Sequence, residues 1–598
     1  MRTRQPAGEV SNALYLAMDS LADDYGNGTL RLTTRQAYQL HGVLKADLKT
    51  VFSTVIKNMG STLAACGDVN RNVMAPAVPF AEGARPDYAA ARKAAVDVAD
   101  LLAPQSGAYY DVWLDGEKFV SVYKEDPAVT RDRAFDGFGT NYAGSPEPIY
   151  GAQFLPRKFK VAVTIPGDNS VDLFTNDLGI VVIMDEADAT KVKGYNILVG
   201  GGMGRTHRNS DTFPRLADPL GFVPAADLFH AVKAVVAVQR DYGRRDDRKQ
   251  ARLKYLVHEW GLERFRSVTE QYMGKKFEAF SPLPAWRFED YLGWGEQGDG
   301  LLYCGVWVQN GRLKGAPKRA LRQVVEQHSL DVVLTPSQNL VLRNVPPSAK
   351  DAVDAALRAS GLPTDPLASG GTGHASGPLD GVDRLSMACP ALPLCGLAIT
   401  EAERGLPDVN RRVRAMLTAA GLPATDDLVL RMTGCPNGCA RPYNAELGFV
   451  GDGPNTYQLW IGGNLGQTRL ASLYAERVRV RDLESELGPL FAMWAGERLS
   501  ADERFGDFCE RVGQEALRAG AAGSKYAAFG KAAAPSPVAA AMAASNGNGS
   551  SYASGNGNGN GGMDAATAAA LAEAARKQGK SVGDLTREML SASPGGRP

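Results

Sequence analysis

The sequence predicts an α+β fold in which one structural unit occurs twice. Segments with helical periodicity alternate with segments that favour strands, and several of them recur in the same order. Leu334–Leu342 repeats the pattern of Leu32–Leu40, and each is followed by an amphipathic helix. Farther along, Leu447-Gly-Phe-Val repeats Leu178-Gly-Ile-Val. We therefore expect two copies related by a pseudo-twofold axis, with room for a large cofactor where they meet.

Size and composition are those of a globular protein with several domains. The chain has 598 residues, of which 44% are hydrophobic and 22% are charged, and its formal net charge is zero. A neutral chain gives no reason to expect bulk attraction to nucleic acid or to an anionic membrane. No apolar run approaches the roughly 20 residues that a membrane span requires.

The N-terminal elements follow from periodicity. Ser11 is expected to cap a helix with Leu14, Met18, Leu21 and Tyr25 on its apolar face. Leu30 to His41 then favours a strand, with Leu30 and Leu32 on one face and Arg31, Thr33 and Arg35 on the other. Lys45 to Met59 is predicted to be a second helix, which buries Leu48, Val51, Val55 and Met59.

Two lysines are predicted to project together from a later strand. Phe159, Val161 and Val163 alternate toward a core, which leaves Lys158 and Lys160 on the opposite face. Both lysines could also lie on an ordinary solvated surface.

A glycine-rich turn follows another predicted strand. The run Gly200–Gly204 lacks the helix and the acidic residue of a dinucleotide-binding fingerprint. Close approach of its backbone to a carboxylate of a cofactor is the better interpretation.

Four of the seven cysteines lie in two proline-flanked motifs. Cys389 and Cys395 are separated by five residues, and Cys435 and Cys439 by three. Such grouping favours a metal site over four independent core cysteines. Paired ligands of structural zinc sites are mostly two to four residues apart, so an iron–sulfur cluster is favoured over zinc. Disulfides are disfavoured, because the sequence shows no secretory signal.

The cysteine motifs resemble those of the sulfite and nitrite reductases that contain sirohaem and a 4Fe-4S cluster, most closely the ferredoxin-dependent sulfite reductases of plastids and cyanobacteria. The resemblance runs from Arg2 to about residue 530. It implies the duplicated fold of that family, with all four cysteines on the cluster and Cys439 also bridging to the sirohaem iron. It also implies six-electron reduction of sulfite to sulfide by reduced ferredoxin.

The resemblance carries two expectations about the source of the chain. The enzyme would work in the chloroplast stroma, or in the cytoplasm of a cyanobacterium. Because Arg2-Thr3-Arg4-Gln5-Pro6 matches an internal stretch of the family, we expect a preceding segment, with any transit peptide, to be missing from this sequence.

Sirohaem carries eight carboxylates, and burying them requires cations and hydrogen-bond donors. Family positions that contact the macrocycle correspond here to Arg31, Thr33, Arg35, His41, Arg157, Arg252, Gln338 and Asn437. For most of the basic run Arg240–Lys254, which includes Arg252, a solvated helix face is the simpler interpretation.

The resemblance also assigns the substrate site. Two arginines and two lysines would hold the sulfite dianion and relay protons, and the corresponding residues are Arg2, Arg71, Lys158 and Lys160. Nothing upstream of Arg2 is visible that would hold it in place. The nitrite reductases of the family typically carry Asn at the position of Lys160, which favours sulfite, with nitrite reduction as the alternative. A zinc-dependent scaffold or nucleic-acid-binding protein is the non-enzymatic alternative.

We expect five segments. Residues 1–80 and 296–380 would be the two halves of a ferredoxin-like domain, 81–295 the first sirohaem-binding α+β domain, 381–530 the 4Fe-4S and sirohaem domain, and 531–598 a disordered low-complexity tail with short helices.

Overall fold

The structure, a computed structural model, describes residues 1–105, 113–114, 117–118, 126–364, 379–423, 427–523 and 525–530. The chain separates into two compact units, Met1–Ser536 and Pro537–Pro598. Only the first is described here, because the predicted tail over 531–598 lies outside the described residues. In the described part, no helix is both long enough and apolar enough to cross a membrane.

The described residues form an α+β architecture, as predicted. The strands are β1 Glu9–Val10, β2 Leu30–Leu32, β3 Tyr38–Leu40, β4 Trp113–Leu114, β5 Glu117–Lys118, β6 Val161–Thr164, β7 Leu178–Met184, β8 Val192–Val199, β9 Asp218–Pro224, β10 Gly293–Glu296, β11 Leu302–Val306, β12 Arg312–Leu313, β13 Asp331–Leu334, β14 Leu340–Val345, β15 Met387–Ala388, β16 Leu430–Thr433, β17 Leu447–Gly453, β18 Thr456–Ile461 and β19 Ser472–Arg479. The α-helices are α1 Asn12–Asp24, α2 Leu48–Lys57, α3 Pro86–Leu101, α4 Pro127–Ala134, α5 Leu228–Tyr242, α6 Leu253–Trp260, α7 Leu262–Met273, α8 Gly315–His328, α9 Lys350–Ala359, α10 Gly381–Arg384, α11 Leu406–Ala419, α12 Leu483–Glu497, α13 Phe505–Val512 and α14 Gln514–Ala522.

Two of the sheets combine the start of the chain with its middle. One has the strand order β1-β13-β14-β11-β10, and the other has the order β12-β2-β3. Their side chains share one hydrophobic core, to which Leu30 and Val51 contribute from the first segment and Leu334 and Leu342 from the second. Residues about 300 positions apart are therefore packed into one body. The domain boundaries themselves stay predictions.

Two further sheets show the duplication directly. The order β6-β7-β8-β9 recurs as β16-β17-β18-β19, with β15 added at the edge of the second sheet. In each copy the first two strands are parallel and the rest are antiparallel. Val161 is opposite Leu178 in the first copy, and Leu430 is opposite Leu447 in the second. The registers correspond, so the predicted repeat is confirmed.

The structure corrects the predicted strand over Leu30–His41. The segment is a hairpin of β2 and β3, and Arg35 lies in the turn between them. The Thr33 hydroxyl accepts hydrogen bonds from the backbone N–H groups of Arg35 (3.3 Å) and Ala37 (3.2 Å), which closes the turn. Arg31 and Arg35 therefore do not share a strand face. The second copy has the same turn, closed by Thr335.

The two N-terminal helices are largely as predicted. Ser11 caps α1 by accepting a hydrogen bond from the N–H of Leu14, at 3.3 Å. Helix α2 buries Val51 and Val55. The expectation that Met59 is buried is wrong: α2 ends at Lys57, Met59 has a φ of 61°, and its side chain is 67% exposed.

Candidate functional site

The two cysteine motifs begin at the same edge of one sheet. Cys389 follows β15 and Cys435 follows β16 by two residues, and these strands are parallel neighbours. Parallel strands carry their carboxyl ends to one edge, so the loops that follow them converge. The N–H of Cys389 donates to the carbonyl of Met432 (3.2 Å), and the N–H of Gly434 donates to the Cys389 Sγ (3.4 Å). All seven cysteines of the chain are free.

The four thiols share one electrostatic environment. Burial raises the pKa of the Cys389 thiol, and the neighbouring Cys439 and Cys435 raise it further. Burial also raises the pKa of Cys435, with contributions from Cys439 and Cys395. Asn437 donates from Nδ2 to the Cys435 Sγ at 3.4 Å. The structure thus brings the four predicted cluster ligands together.

Within the described residues, no group of three or more His, Cys, Asp or Glu side chains is placed to hold one metal ion. The preference for an iron–sulfur cluster over zinc therefore comes from the spacing of the cysteines in the sequence.

Side chains from the two hairpins hold the cysteine loops. The carbonyl of Ala388 accepts hydrogen bonds from Arg31 Nη2 and from Gln338 Nε2, both at 2.8 Å. The Thr34 hydroxyl donates to the carbonyl of Cys439 at 3.1 Å. Arg31 and Gln338 therefore lie next to the Cys389 motif.

Arg31 is already paired with a carboxylate of this chain. It forms an ion pair with Glu403, which also binds Arg312 in a bidentate manner at 2.7 and 2.9 Å. Burial lowers the pKa of Arg31 to about 10. The arginine thus holds the Cys389 motif and Glu403 at the same time.

His41 lies beside the same pair. Its Nδ1 is 3.1 Å from Arg312 Nη1, and its Nε2 is buried without a hydrogen-bond partner among the described residues. Burial first, and then the nearby Arg312 and Arg31, lower the pKa of His41 to about 4. The imidazole is neutral at pH 7, with one ring nitrogen free for a ligand.

Lys158 and Lys160 are half-buried and face Cys439. Burial lowers the pKa of Lys158 to about 8, and Arg252 contributes, while Cys439 acts in the opposite direction. The pKa of Lys160 is well below its ordinary value, because of burial first and then Arg35 and Arg252. Neither ammonium has a hydrogen-bond or ion-pair partner among the described residues. Both amines are therefore free to donate hydrogen bonds to an anion.

Arg71 lies near Lys158, and Arg2 lies near Arg71. Arg71 donates from Nε to the carbonyl of Gly67 (2.9 Å) and from Nη1 to that of Ala65 (3.3 Å). Burial lowers its pKa, and Arg2 is among the neighbours that lower it further. Arg2 is exposed but its backbone is held, because it bridges to Gln39 at the edge of β3 and the N–H of Thr3 donates to the carbonyl of Tyr38 at 3.0 Å.

Arg35 and Arg252 converge on a polar pair that the sequence did not predict. Arg252 binds Asp177 in a bidentate manner, at 3.0 and 2.7 Å, and Arg35 donates to Asn176 Oδ1 at 2.9 Å. Asp177 also accepts the N–H of Lys160, at 2.9 Å. A signal was present in the repeat, because an acidic residue precedes each Leu-Gly-x-Val motif, namely Asp177 and Glu446.

The other predicted residues have different surroundings. Arg157 is half-buried, with Nη1 at 3.9 Å from Asp68 Oδ1, and burial lowers its pKa. The Thr33 hydroxyl is used by the hairpin turn. Most of the basic run before Arg252 is exposed, as expected, but it lies in the loop between α5 and α6 and not on a helix face, and Arg240 and Lys254 at its ends are buried.

The glycine turn packs against the protein's own backbone. A Cβ at Gly201 would lie 2.1 Å from the carbonyl oxygen of Phe174, and one at Gly202 would lie 2.8 Å from Arg252 Nη2. After β8, the next helix of the described chain starts only at Ala225. The glycines are needed for close packing beside Arg252, and the approach of a cofactor carboxylate stays a prediction.

The site fits an acidic macrocycle and a small dianion. Lys158 and Lys160 are surrounded by Arg35, Arg71 and Arg252, while Asp177 is the buried carboxylate in contact with this group. Arg35 Nε, Gln338 Oε1 and His41 Nε2 are buried and lack partners among the described residues. The cations and the free nitrogens Arg35 Nε and His41 Nε2 are stable when anionic groups occupy the space between them, whereas Gln338 Oε1 is an acceptor and requires a donor.

A duplicated α+β chain with four cluster-type cysteines beneath a group of cations defines an iron–sulfur oxidoreductase. Comparison with known families agrees. Residues 97–277 match the model described as the nitrite and sulphite reductase 4Fe-4S domain, and residues 1–57 and 295–360 match the nitrite/sulfite reductase ferredoxin-like half domain. The chain belongs to the nitrite and sulfite reductase family, whose cofactors are sirohaem and a 4Fe-4S cluster.

Individual relatives are similar over most of their length. A protein of Synechococcus elongatus named sulfite reductase [ferredoxin] is 53% identical over 87% of this chain and 80% of its own length. A Methylobacterium nodulans protein named sulfite reductase [NADPH] hemoprotein beta-component is 43% identical over 86% of this chain and 80% of its own. The solved structure of Mycobacterium tuberculosis NirA has a TM-score of 0.64 at 24% identity, over 87% of this chain and 84% of that one, and supports the fold alone.

Proposed function

We propose that this chain reduces sulfite to sulfide with six electrons from reduced ferredoxin. The observation that carries the proposal is the placement of two unpartnered lysines opposite Cys439, next to the other three cysteines of a cluster site. A cation group of this kind suits a small oxyanion, and the adjacent thiols suit the delivery of electrons. The relative named sulfite reductase [ferredoxin] supports the same assignment.

The cofactor ligands come from the residues described above. Cys389, Cys395, Cys435 and Cys439 would hold the cluster, and the free polar atoms of Arg35, His41 and Gln338 would meet the macrocycle. Bound cluster and sirohaem would supply single electrons at iron. Arg31, Gln338 and Thr34 keep the cysteine loops in place.

The cations bind the substrate and supply protons. Reduction of sulfite to hydrosulfide takes up six electrons and seven protons and releases three waters. Arg71 keeps its charge and holds the anion, while Lys158, with a pKa of about 8, can release and recover a proton near neutral pH. Lys158 and Lys160 would donate to the sulfite oxygens as each leaves as water. We include Arg2 as an outer member of this group.

The choice of anion is tested by kinetics. The catalytic efficiency, kcat/KM, should be higher for sulfite than for nitrite when reduced ferredoxin is supplied to the purified full chain. A strong excess for nitrite would favour nitrite reductase instead.

The electron donor is part of the proposal. One relative is named for ferredoxin and another for NADPH, and the first has the higher identity. Ferredoxin should therefore support turnover, and NADPH with a flavoprotein reductase should not. Either chloroplast stroma or cyanobacterial cytoplasm would provide reduced ferredoxin.

Spectroscopy and metal analysis test the cofactors directly. Purified protein should show haem-like absorbance, iron and acid-labile sulfide. A folded, colourless protein without iron would end the proposal, and zinc as the main metal would favour a scaffold or nucleic-acid-binding role.

A further inference from the structure

Asp172 and Arg441 occupy equivalent positions in the two copies. The offset that relates Leu178 to Leu447 also relates Asp172 to Arg441. Both residues have positive φ, at 50° and 55°, and each immediately precedes a short 3-10 helix. A pseudo-twofold axis can bring equivalent positions of its two copies face to face.

These equivalent residues bind each other. Arg441 Nε forms an ion pair with Asp172 Oδ2, and both side chains are buried. Arg431 Nη1 lies 3.2 Å from the same carboxylate oxygen. One acidic residue of the first copy therefore neutralises two arginines of the second.

The remaining donors of Arg441 hold both hairpin turns. Nη1 donates to the carbonyl of Thr34 (3.0 Å), and Nη2 donates to that of Pro336 (3.1 Å). Thr34 and Pro336 are themselves equivalent in the repeat that relates Leu32–Leu40 to Leu334–Leu342. The Thr34 hydroxyl in turn donates to the carbonyl of Cys439 at 3.1 Å. Arg441 thus joins the two turns and Asp172 to the loop that carries Cys439.

We propose that Arg441 is a positioning residue that fixes where the Cys439 thiol stands relative to Lys158 and Lys160. The planar guanidinium serves three acceptors in different directions, which a lysine ammonium on a flexible stem cannot reproduce with the same geometry. This inference rests on the cluster and sirohaem assignment of the proposed function. It adds a residue to which neither substrate nor cofactor binding has been assigned above.

Arg431 provides a matched control. It shares the Asp172 carboxylate and is similarly buried, but its other donors reach Asn444 Oδ1 (3.0 Å), Gln467 Oε1 (2.7 Å) and, at the longer distance of 3.4 Å, the carbonyl of Arg441, and not the turns. In Arg441→Met, Asp172 stays paired with Arg431, and in Arg431→Met it stays paired with Arg441. The two variants should therefore lose similar stability.

The test compares full-length holoenzymes by optical and electron paramagnetic resonance spectra and by redox titration. Arg441→Met should change the spectra and shift the midpoint potentials, with activity falling about 10- to 100-fold, as for other outer partners of metal ligands. Arg441→Lys should recover part of the change. Thr34→Val, which removes only the hydrogen bond to the Cys439 carbonyl, should shift the spectra in the same direction and less strongly. Arg431→Met should keep the wild-type spectra and potentials.

Each contrary outcome has a distinct meaning. Wild-type spectra and potentials in Arg441→Lys and Thr34→Val would overturn the positioning role, even if Arg441→Met did not fold. Equal changes in Arg431→Met would overturn it as well, because they would reflect lost stability alone. Both results leave the proposed function standing. A wild-type protein without iron and acid-labile sulfide would instead refute the proposed function and this inference together.

Discussion

Asp177 is the buried carboxylate that offsets the positive charge of the cation group, and its replacement by Asn tests that role. The cation group consists of Arg35, Arg71, Lys158, Lys160 and Arg252. Asp177 is fully buried and receives both arms of Arg252 and the backbone N–H of Lys160. Asp177→Asn leaves Arg252 without its bidentate partner. Loss of one partner of a buried ion pair costs about 3–5 kcal/mol, or roughly two to four powers of ten in the folding equilibrium.

The second copy contains a natural control for this substitution. Glu446 is also fully buried and binds Arg504 in the same bidentate manner, at 3.1 and 2.6 Å. Its Oε2 accepts the N–H of Val429 at 2.9 Å, as Asp177 accepts that of Lys160. In Glu446→Gln, Arg504 still has a carboxylate nearby, because its Nη1 lies 3.9 Å from Asp427 Oδ2. Both variants should therefore lose stability. Asp177→Asn should lose more, because the unpaired Arg252 repels Lys158 and Lys160.

Urea unfolding with and without sulfate distinguishes loss of the ion pair from repulsion within the cation group. Urea is used because guanidinium is itself a cation. Sulfate should raise the urea midpoint of Asp177→Asn more than that of the wild type or of Glu446→Gln, because an anion bound among these cations replaces the missing negative charge. Equal destabilisation and an equal sulfate response in the two variants would refute the view that Asp177 balances the cation group.

Three further substitutions test the site itself. Lys158 has its pKa lowered to about 8 from 10.5, so between these pH values the unfolded chain binds more protons than the folded one, and stability rises with pH. Between pH 7.5 and 10, the free energy of unfolding of the wild type should rise relative to that of Lys158→Met by at most about 3 kcal/mol, and by less where solvent screens the charge. Urea unfolding of the cofactor-free proteins measures this difference. The same pH dependence in both proteins would contradict the lowered pKa of Lys158. Lys160→Asn should reduce kcat/KM for sulfite about tenfold more than that for nitrite, and equal losses would show that Lys160 does not discriminate between the anions. Cys439→Ser should lose acid-labile sulfide together with the coupling between cluster and sirohaem, and an unchanged spectrum would exclude the bridging role.

Patterns in the sequence predicted the helix caps, apolar faces and strands that depend on residues close together in the chain. The cap of Ser11, the apolar face of α1 and the duplicated strands all follow from spacing over a few positions. The hairpin turn was missed, because a threonine also favours strands and only its hydrogen bonds to Arg35 and Ala37 reveal the turn.

Long-range ion pairs could not be predicted in the same way. Glu403 lies 372 positions from Arg31 in the sequence, and nothing near either residue marks the other as its partner. Arg31 was expected among the macrocycle contacts because its position matches the family. The structure adds that it also holds the Cys389 motif and is paired with Glu403. Burial of such residues is decided by the packing of distant segments.

The duplication explains why the cation group occurs in one copy. The strand registers make Lys160 equivalent to Val429 and Lys158 equivalent to Asp427. The backbone geometry is shared, since Asp177 and Glu446 accept the N–H groups of Lys160 and Val429 at the same distance of 2.9 Å. The side chains differ: two lysines occupy these positions in the first copy, whereas Asp427 and Val429 occupy them in the second. The lysines attract a dianion, whereas Asp427 lies beside Arg504 and Arg384 and Val429 is apolar, so one symmetric backbone yields a single oxyanion site.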